Sequence, residues 1–353
     1  MHTERGQDSL ADLADRSPDL VLHDPGGPAE CLVRRGQLLV PRAGLDRAVR
    51  ALDRWIEAVD PAEHATLRLR PGAAADCVRI AAEVADLVPV SANHVHTVLV
   101  GAPILHGTGA APVPAPLPPE PPRVRWDPPV TVLMLDTGID PHPWFVGRPW
   151  FGRWDLEVLD ADHDRVPDRQ AGHGTFVAGV VLSHAPGATL RQFPVLSSQG
   201  LTDDRTVAAT LRRARHLSAV RPDPVDVLLL TAGCHTADDR CPPVLARELA
   251  HWPTVVAAAG NTGTTRPFWP AALPTVTAVG ALSPDGSRAP FSNHGPWVDR
   301  WAPGVDIVSS HVRLTGDGRE YGGARWSGTS FAAPRVAAAV AMARAEAELV
   351  AGA

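Results

Sequence analysis

The sequence predicts an α/β protein with three layers, a mainly parallel central sheet between two layers of helices, preceded by a small N-terminal α+β domain. Three observations predict it. The apolar runs "VTVLMLD" (130–136), "LRQFPVL" (190–196), "DVLLLTAG" (226–233), "TVVAAAGN" (254–261) and "TVTAVGA" (275–281) read as strands covered on both faces. Between them, Asp204–Val220 and Pro243–Trp252 have helical spacing, with Val207, Leu211, Ala214 and Leu217 forming the buried stripe of the first. Finally, "GTGAAPVPAPLPPEPPRVRWDPP" (107–129) is too dense in proline for a helix or central strand and reads as an extended connector. It separates a small domain, 29–106, from a larger one, 130–353, with a polar segment, 1–28, in front.

The small domain reads as a strand or hairpin "CLVRRGQLLVP", a helix "GLDRAVRALDRWIEAV", a strand "ATLRLRP", a helix "AADCVRIAAEVADL" and a strand "NHVHTVLVG". In its first helix Leu45, Val49, Leu52 and Ile56 recur every three or four residues, which makes one apolar face. Leu67 and Leu69 alternate with arginines, as in a strand with one wet face.

Composition narrows the function. The net charge of -6 argues against a nucleic-acid partner, which would call for a basic patch. No apolar run approaches the ~18 residues of a membrane span, and the N-terminus lacks the apolar core of a secretory signal. A cytoplasmic location is therefore expected, where Cys31, Cys77, Cys234 and Cys241 would be free thiols by default. No C-x-x-C or H-E-x-x-H spacing occurs, so no metal ligand is assigned.

Three polar residues stand among glycines and small residues, where such a sheet forms its active site, at the carboxyl ends of strands. Asp136 ends the strand "LMLD"; His173 in "GHGTFVAG" and Ser330 in "SGTSFAAP" each open a helix. A serine hydroxyl attacks poorly until a histidine takes its proton, and a buried carboxylate fixes the histidine tautomer. A helix N-terminus at Ser330 favours the negative charge that develops there. Gly172 and Gly174 are expected to leave room beside the imidazole for a substrate backbone, and Pro334 to fall in a first helical turn that needs no donor. Taken singly, each residue fits a turn, a loop or close helix packing equally well. Their chain order, Asp then His then Ser, decides.

Together, "DTGID" (136–140), "GHGTFVAG" (172–179), "AAAGN" (257–261), "WPAALPTVTAVGA" (269–281), "FSNHGPWVDRWAPGVDI" (291–307) and "GTSFAAP" (328–334) resemble the subtilisin-like serine proteases, the subtilases, across about 130–345. The resemblance implies the subtilisin-like fold and a serine endopeptidase acting on an extended polypeptide. It makes Asp136 the orienting carboxylate, His173 the base and then acid, Ser330 the nucleophile and Asn261 the side-chain donor of the oxyanion hole. It implies peptide pairing along Thr231, Ala232 and Gly233 and near Ser198, Gln199 and Gly200, with Ala258, Ala259 and Gly260 lining the primary specificity pocket. Thr231-Ala232 stands where the family has serine and a large apolar residue, a change expected to widen the cleft. Cys234 and Cys241 then flank this edge as a loop staple, a redox pair or two separate thiols.

The departures from the family are informative. The helix after His173 runs straight from Val180 through His184 into "APGATL", without the usual calcium-loop insertion, and Trp144 follows His142-Pro143 where the family has an aspartate ligand. No cofactor is therefore expected. The loop Asp160–Asp168 reads as solvated, with a weak calcium ion as the alternative, since Arg165 stands where an EF-hand needs glycine. Less closely, "LRLRPGA" and "VPVSANHVH" in the small domain resemble a subtilase propeptide, although only one clear strand is read between its helices, where that fold has two. An inhibitory propeptide, docked within the chain and cut off in the linker, and a retained recognition or regulatory domain that docks a partner or substrate both stand as readings. A dedicated leader-peptide maturation protease and a catalytically silent adaptor are the alternatives in function.

Overall fold

The computed structural model describes residues 9–98, 111–152, 156–219, 224–316 and 318–351. The small domain contains α1 (Leu10–Arg16), β1 (Leu20–His23), β2 (Cys31–Pro41), α2 (Leu45–Leu52), β3 (Ile56–Asp60), β4 (His64–Leu69), α3 (Cys77–Val84) and β5 (Ser91–Thr97). A short strand, β6 (Val113–Ala115), follows, and then the larger domain. This comprises β7 (Thr131–Asp136), α4 (His173–His184), β8 (Thr189–Pro194), β9 (Leu201–Asp203), α5 (Asp204–Ala219), β10 (Val227–Leu230), α6 (Pro243–Leu249), β11 (Val255–Ala258) and β12 (Thr277–Leu282). It closes with β13 (Arg300–Pro303), β14 (Ile307–Thr315), β15 (Gly318–Trp326) and α7 (Thr329–Ala351).

The central sheet runs β13-β12-β11-β10-β7-β8, and every neighbouring pair is parallel. Alternation along β7 sets the layers. Val132 and Met134 pack with α4 and α7, whereas Leu133 and Leu135 pack with α5 and α6. Helix α4 is apolar all round and almost wholly buried, as a helix wedged between sheet, α7 and β14 must be. On α5 the stripe Val207, Leu211, Ala214 is buried, but Leu217 is 40% exposed, because the helix by then extends beyond the sheet.

In the small domain the expected first helix ends at Leu52, and Ile56 begins a strand instead. The segment Ile56–Asp60 pairs antiparallel with β4, and that ladder overrides a periodicity that runs on past the helix end. Two strands, β3 and β4, therefore lie between α2 and α3. The N-terminal stretch is also built in: β1 pairs with β2, and Leu13 and Leu20 are buried against Leu32 and Val95. Proline at the connector is compatible with β6 because it adds to the outer edge of β15. The connector residues 107–110 lie outside the described residues.

One sheet crosses from the small domain into the large one. Its order is β3-β4-β2-β5-β9, with Val95, His96 and Thr97 of β5 paired antiparallel to Asp203, Thr202 and Leu201 of β9. Its inner face rests on α5 and α6: Leu39 joins the apolar cluster of Leu211 and Leu245, and His64 Nε2 meets Glu248 Oε1 at 2.8 Å in a buried pair. At the rim, Arg34 reaches Asp203 and Arg205 reaches Asp60.

Phe176, fully buried, packs against Phe331 with the rings tilted and their centroids 4.6 Å apart, which joins α4 to α7. Phe176→Ala is expected to cost about 3–5 kcal/mol, read as a lowered denaturant midpoint with unchanged slope. A loss below about 1 kcal/mol would mean that the contact between these helices does not hold the core together.

Candidate active site

Asp136 ends β7 with its carboxylate fully buried. Its Oδ1 accepts hydrogen bonds from the Thr137 backbone N–H at 2.7 Å and from His173 Nδ1 at 2.7 Å, while Oδ2 accepts from Thr231 Oγ1 at 2.6 Å. These three donors replace the hydration that burial removes from the carboxylate. His173 is the first residue of α4, its ring edge-on to Trp326 at 5.4 Å and tilted against Phe331 at 5.3 Å. Ser330, the second residue of α7, donates its hydroxyl to the Thr231 carbonyl at 3.0 Å. Thr231 thus touches Asp136 with its side chain and Ser330 with its backbone. Its hydroxyl is turned inward and serves the carboxylate.

Asn261 is buried with its amide orientation fixed. Oδ1 accepts from the Thr329 N–H at 2.9 Å and from Thr329 Oγ1 at 2.8 Å, which leaves the Nδ2 donor facing Gly328 beside Ser330. Ala258 ends β11, and the Ala259 carbonyl accepts from Asn293 Nδ2 at 2.8 Å. Gly260, with φ +93°, carries the turn to Asn261. The edge residues come together on β5. Thr97 and Gly233 exchange backbone hydrogen bonds of 2.8 and 3.4 Å, and the Val98 N–H donates to the Gly200 carbonyl at 3.3 Å. Ala232, half-buried, lies between Thr231 and this pairing.

Two expectations about local chemistry are corrected. The glycines around His173 do not clear space for a substrate. A Cβ on Gly174 would lie 2.0 Å from the Gly138 carbonyl, and one on Gly172, at φ +79°, would strike His311. They let α4 meet the Asp136 loop and β14. Pro334 is the sixth residue of α7, past the first turn, so the Ser330 carbonyl lacks its usual helical donor.

The acidic loop divides. Asp160, Asp162 and Asp164 point their carboxylates at one another and at nearby backbone N–H groups, whereas Asp168 is buried and accepts from Ala161 N–H, Ser198 Oγ and Gln199 Nε2. It therefore braces the cleft edge that contains Gly200. His142 is buried, its Nδ1 accepting from the Trp144 N–H at 3.1 Å and its Nε2 donating to the Gly322 carbonyl at 3.1 Å; burial lowers it to about 4. All four cysteines are free thiols.

Sequence reasoning missed Glu157. Its carboxyl lies beneath the site, accepting from Gly174 N–H at 3.2 Å and Thr175 Oγ1 at 3.0 Å, and bonded to Thr137 Oγ1. The residue belongs to no motif, and its partners are 17–20 positions away. Asp140 accepts from the Glu157 N–H at 2.9 Å and pairs with Arg319. Burial, with Asp140 and Asp136 nearby, pushes Glu157 up to about 8 from 4.5.

The comparisons with known proteins address the family and the fold. The sequence model of the Subtilase family matches residues 128–350. The chain belongs to the subtilase family. It is 33% identical over 223 residues to a "Thermophilic serine proteinase" of Bacillus sp. (strain AK1), covering 60% of this chain and 51% of that protein. Against "Thermitase" of Thermoactinomyces vulgaris it is 30% identical over 217 residues, 58% of this chain and 71% of the relative. The chain thus spans about half the length of the first of these relatives. The solved structure of "Prenylagaramide maturation protease PagA" shares the subtilisin-like fold with a TM-score of 0.50 and 27% identity, covering 64% of this chain and 79% of that one. Among the described residues no helix is long and apolar enough to cross a membrane.

Because the unfolded Glu157 ionises near 4.5 and the folded one near 8, stability from this group is intact below pH 4.5, falls as pH rises toward 8 and levels off above. Glu157→Gln should flatten that decline, so melting temperature measured from pH 5 to 9 falls less than in the wild type. An unchanged profile would place the ionisation of Glu157 outside this range.

Proposed function

We propose that this subtilase is a serine endopeptidase in which Asp136, His173, Ser330 and Asn261 carry the reaction. The observation that carries the reading is the buried 2.7 Å bond between Asp136 and His173 Nδ1, with Thr231 linking the same carboxylate to Ser330. That bond keeps the proton on Nδ1 and leaves Nε2 as the base. The Ser330 hydroxyl turns from Thr231 to Nε2, gives up its proton and attacks the peptide carbonyl. The oxyanion is met by Asn261 Nδ2 and the Ser330 N–H. His173 then protonates the departing amine, and water hydrolyses the acyl-enzyme by the same route in reverse.

The small domain is read as an intramolecular occupant of the cleft rather than a separate recognition module. Support comes from β5, which adds to the edge at Gly233 and Gly200 as an extended substrate would, and from the two strands between α2 and α3 that the propeptide-like fold has. Self-cleavage is then expected in the peptide bonds that follow Val98. A narrower reading, a maturation protease with few natural substrates, is supported by the likeness to "Prenylagaramide maturation protease PagA". Profiling of new N-termini in a proteome digest separates the two, since a maturation protease would leave almost all proteins intact.

The helix α4 runs unbroken to His184, and only Ala185–Ala188 separate it from β8, so a calcium loop has no place there. The protein is read as folding without calcium. Its melting temperature in metal-free buffer should rise by no more than a degree or two on adding calcium; a larger rise would overturn this.

Ser330→Ala is expected to abolish both peptide hydrolysis and labelling by a fluorophosphonate probe. Intact mass should show a cut between residues 98 and 110 in the wild type alone. Asn261→Ala should lower kcat by about 10²–10³, the cost of removing such a donor in a subtilisin, with KM little changed. A wild-type protein that stays unlabelled would mark a silent scaffold.

A further inference from the structure

A second cluster of reactive side chains lies where β5 meets the large domain. His96 is on β5, Asp204 is the first residue of α5, and Cys234 follows Gly233; all three are buried. A ring nitrogen of His96, an Asp204 carboxylate oxygen and the Cys234 sulfur all lie within 4.8 Å of one another. We propose that His96, Asp204 and Cys234 bind a divalent d-block metal ion of the zinc class, which clamps the small domain to the cleft edge.

The donors suit such an ion. An imidazole nitrogen, a carboxylate oxygen and a thiolate are zinc ligands, and three protein ligands leave one tetrahedral position for a solvent molecule. Tetrahedral ligands stand on the order of 3.3 Å apart. His96 Nε2 and Asp204 Oδ1, now hydrogen-bonded at 2.7 Å, therefore part only slightly to admit the ion. The other oxygen, Oδ2, is held by the His94 N–H at 2.9 Å and His94 Nδ1 at 3.0 Å, as the outer partner of a ligating carboxylate commonly is. Among the described residues the Cys234 thiol has no hydrogen-bond partner. On binding, the thiol releases its proton to solvent and His96 carries its proton on Nδ1. One carboxylate and one thiolate then offset the two positive charges of the ion at a buried site. His96 and Cys234 come from the two sides of the Thr97–Gly233 pairing, each one residue away from it, and Asp204 comes from the start of α5, so the ion fastens the strand where it enters the cleft.

The binding stands without the protease reading, whereas its effect on cleft occupation rests on that reading. The test therefore uses the full chain as Ser330→Ala, which stays uncut in either case. Zinc titration against a chromophoric chelator should give one ion per chain. Cobalt should give a thiolate charge-transfer band that is lost in Cys234→Ser and kept in Cys241→Ser. Asp204→Asn should weaken zinc binding by about 100-fold or more, and His94→Gln by about 10–100-fold. Zinc should also slow hydrogen exchange of residues 91–98. No bound ion, or a cobalt band that survives Cys234→Ser, would overturn the proposal and leave a hydrogen-bonded network alone. Binding without slowed exchange would overturn the clamp.

Discussion

The buried carboxylate of Asp136 is the constraint on which the arrangement of the site depends. A charge with no access to water is tolerated only when the protein replaces its hydration with donors. Here these come from three places: the turn after β7, the start of α4 and the end of β10. Each donor fixes the direction in which its own segment leaves the sheet. Parallel strands ending at one edge bring those segments together, and the alternation of β7 gives each helical layer apolar side chains to pack against. Glu157, one step below, is held the opposite way. Its surroundings favour the neutral acid, because burial and the neighbouring carboxyl groups oppose its charge.

Much of this was legible in the sequence, for physical reasons. The parallel strands announce themselves as unbroken apolar runs because both faces are covered. Asp136, His173 and Ser330 stand out because glycines and small residues surround them, whereas Asn261 comes only from the family resemblance. What was not legible depended on partners far along the chain. Nothing before Ile56 stops α2, since no glycine or proline intervenes and the apolar spacing continues; the strand is created by β4. Glu157 has no local signature because its partners belong to the Thr137 turn and to α4. The grouping of residues 96, 204 and 234 has no spacing at all in the linear sense; the topology alone assembles it. The motif glycines show a subtler limit: their positions were evident, but their task was close contact within the fold.

The interface between the domains has the composition of an interior. Leu39 sits in the same apolar cluster as α5 and α6, and His64 with Glu248 is sealed from solvent, while arginine–carboxylate pairs stay at the rim. Exposed pairs of this kind contribute little each, so the buried apolar face and the shared sheet account for most of the association.

That shared sheet has a kinetic consequence. A strand joined covalently to its own receptor edge is present at an effective concentration in the millimolar range, whatever the dilution of the protein. Any free peptide that is to add beside Gly233 must first compete with β5. Cutting the chain beyond Val98 would not remove the competitor, because the pairing with β9 and the apolar contacts with α5 and α6 would still hold it. The rate at which the cleft opens to outside peptides would then follow dissociation of the small domain, not scission, and dilution would only keep the released domain from returning.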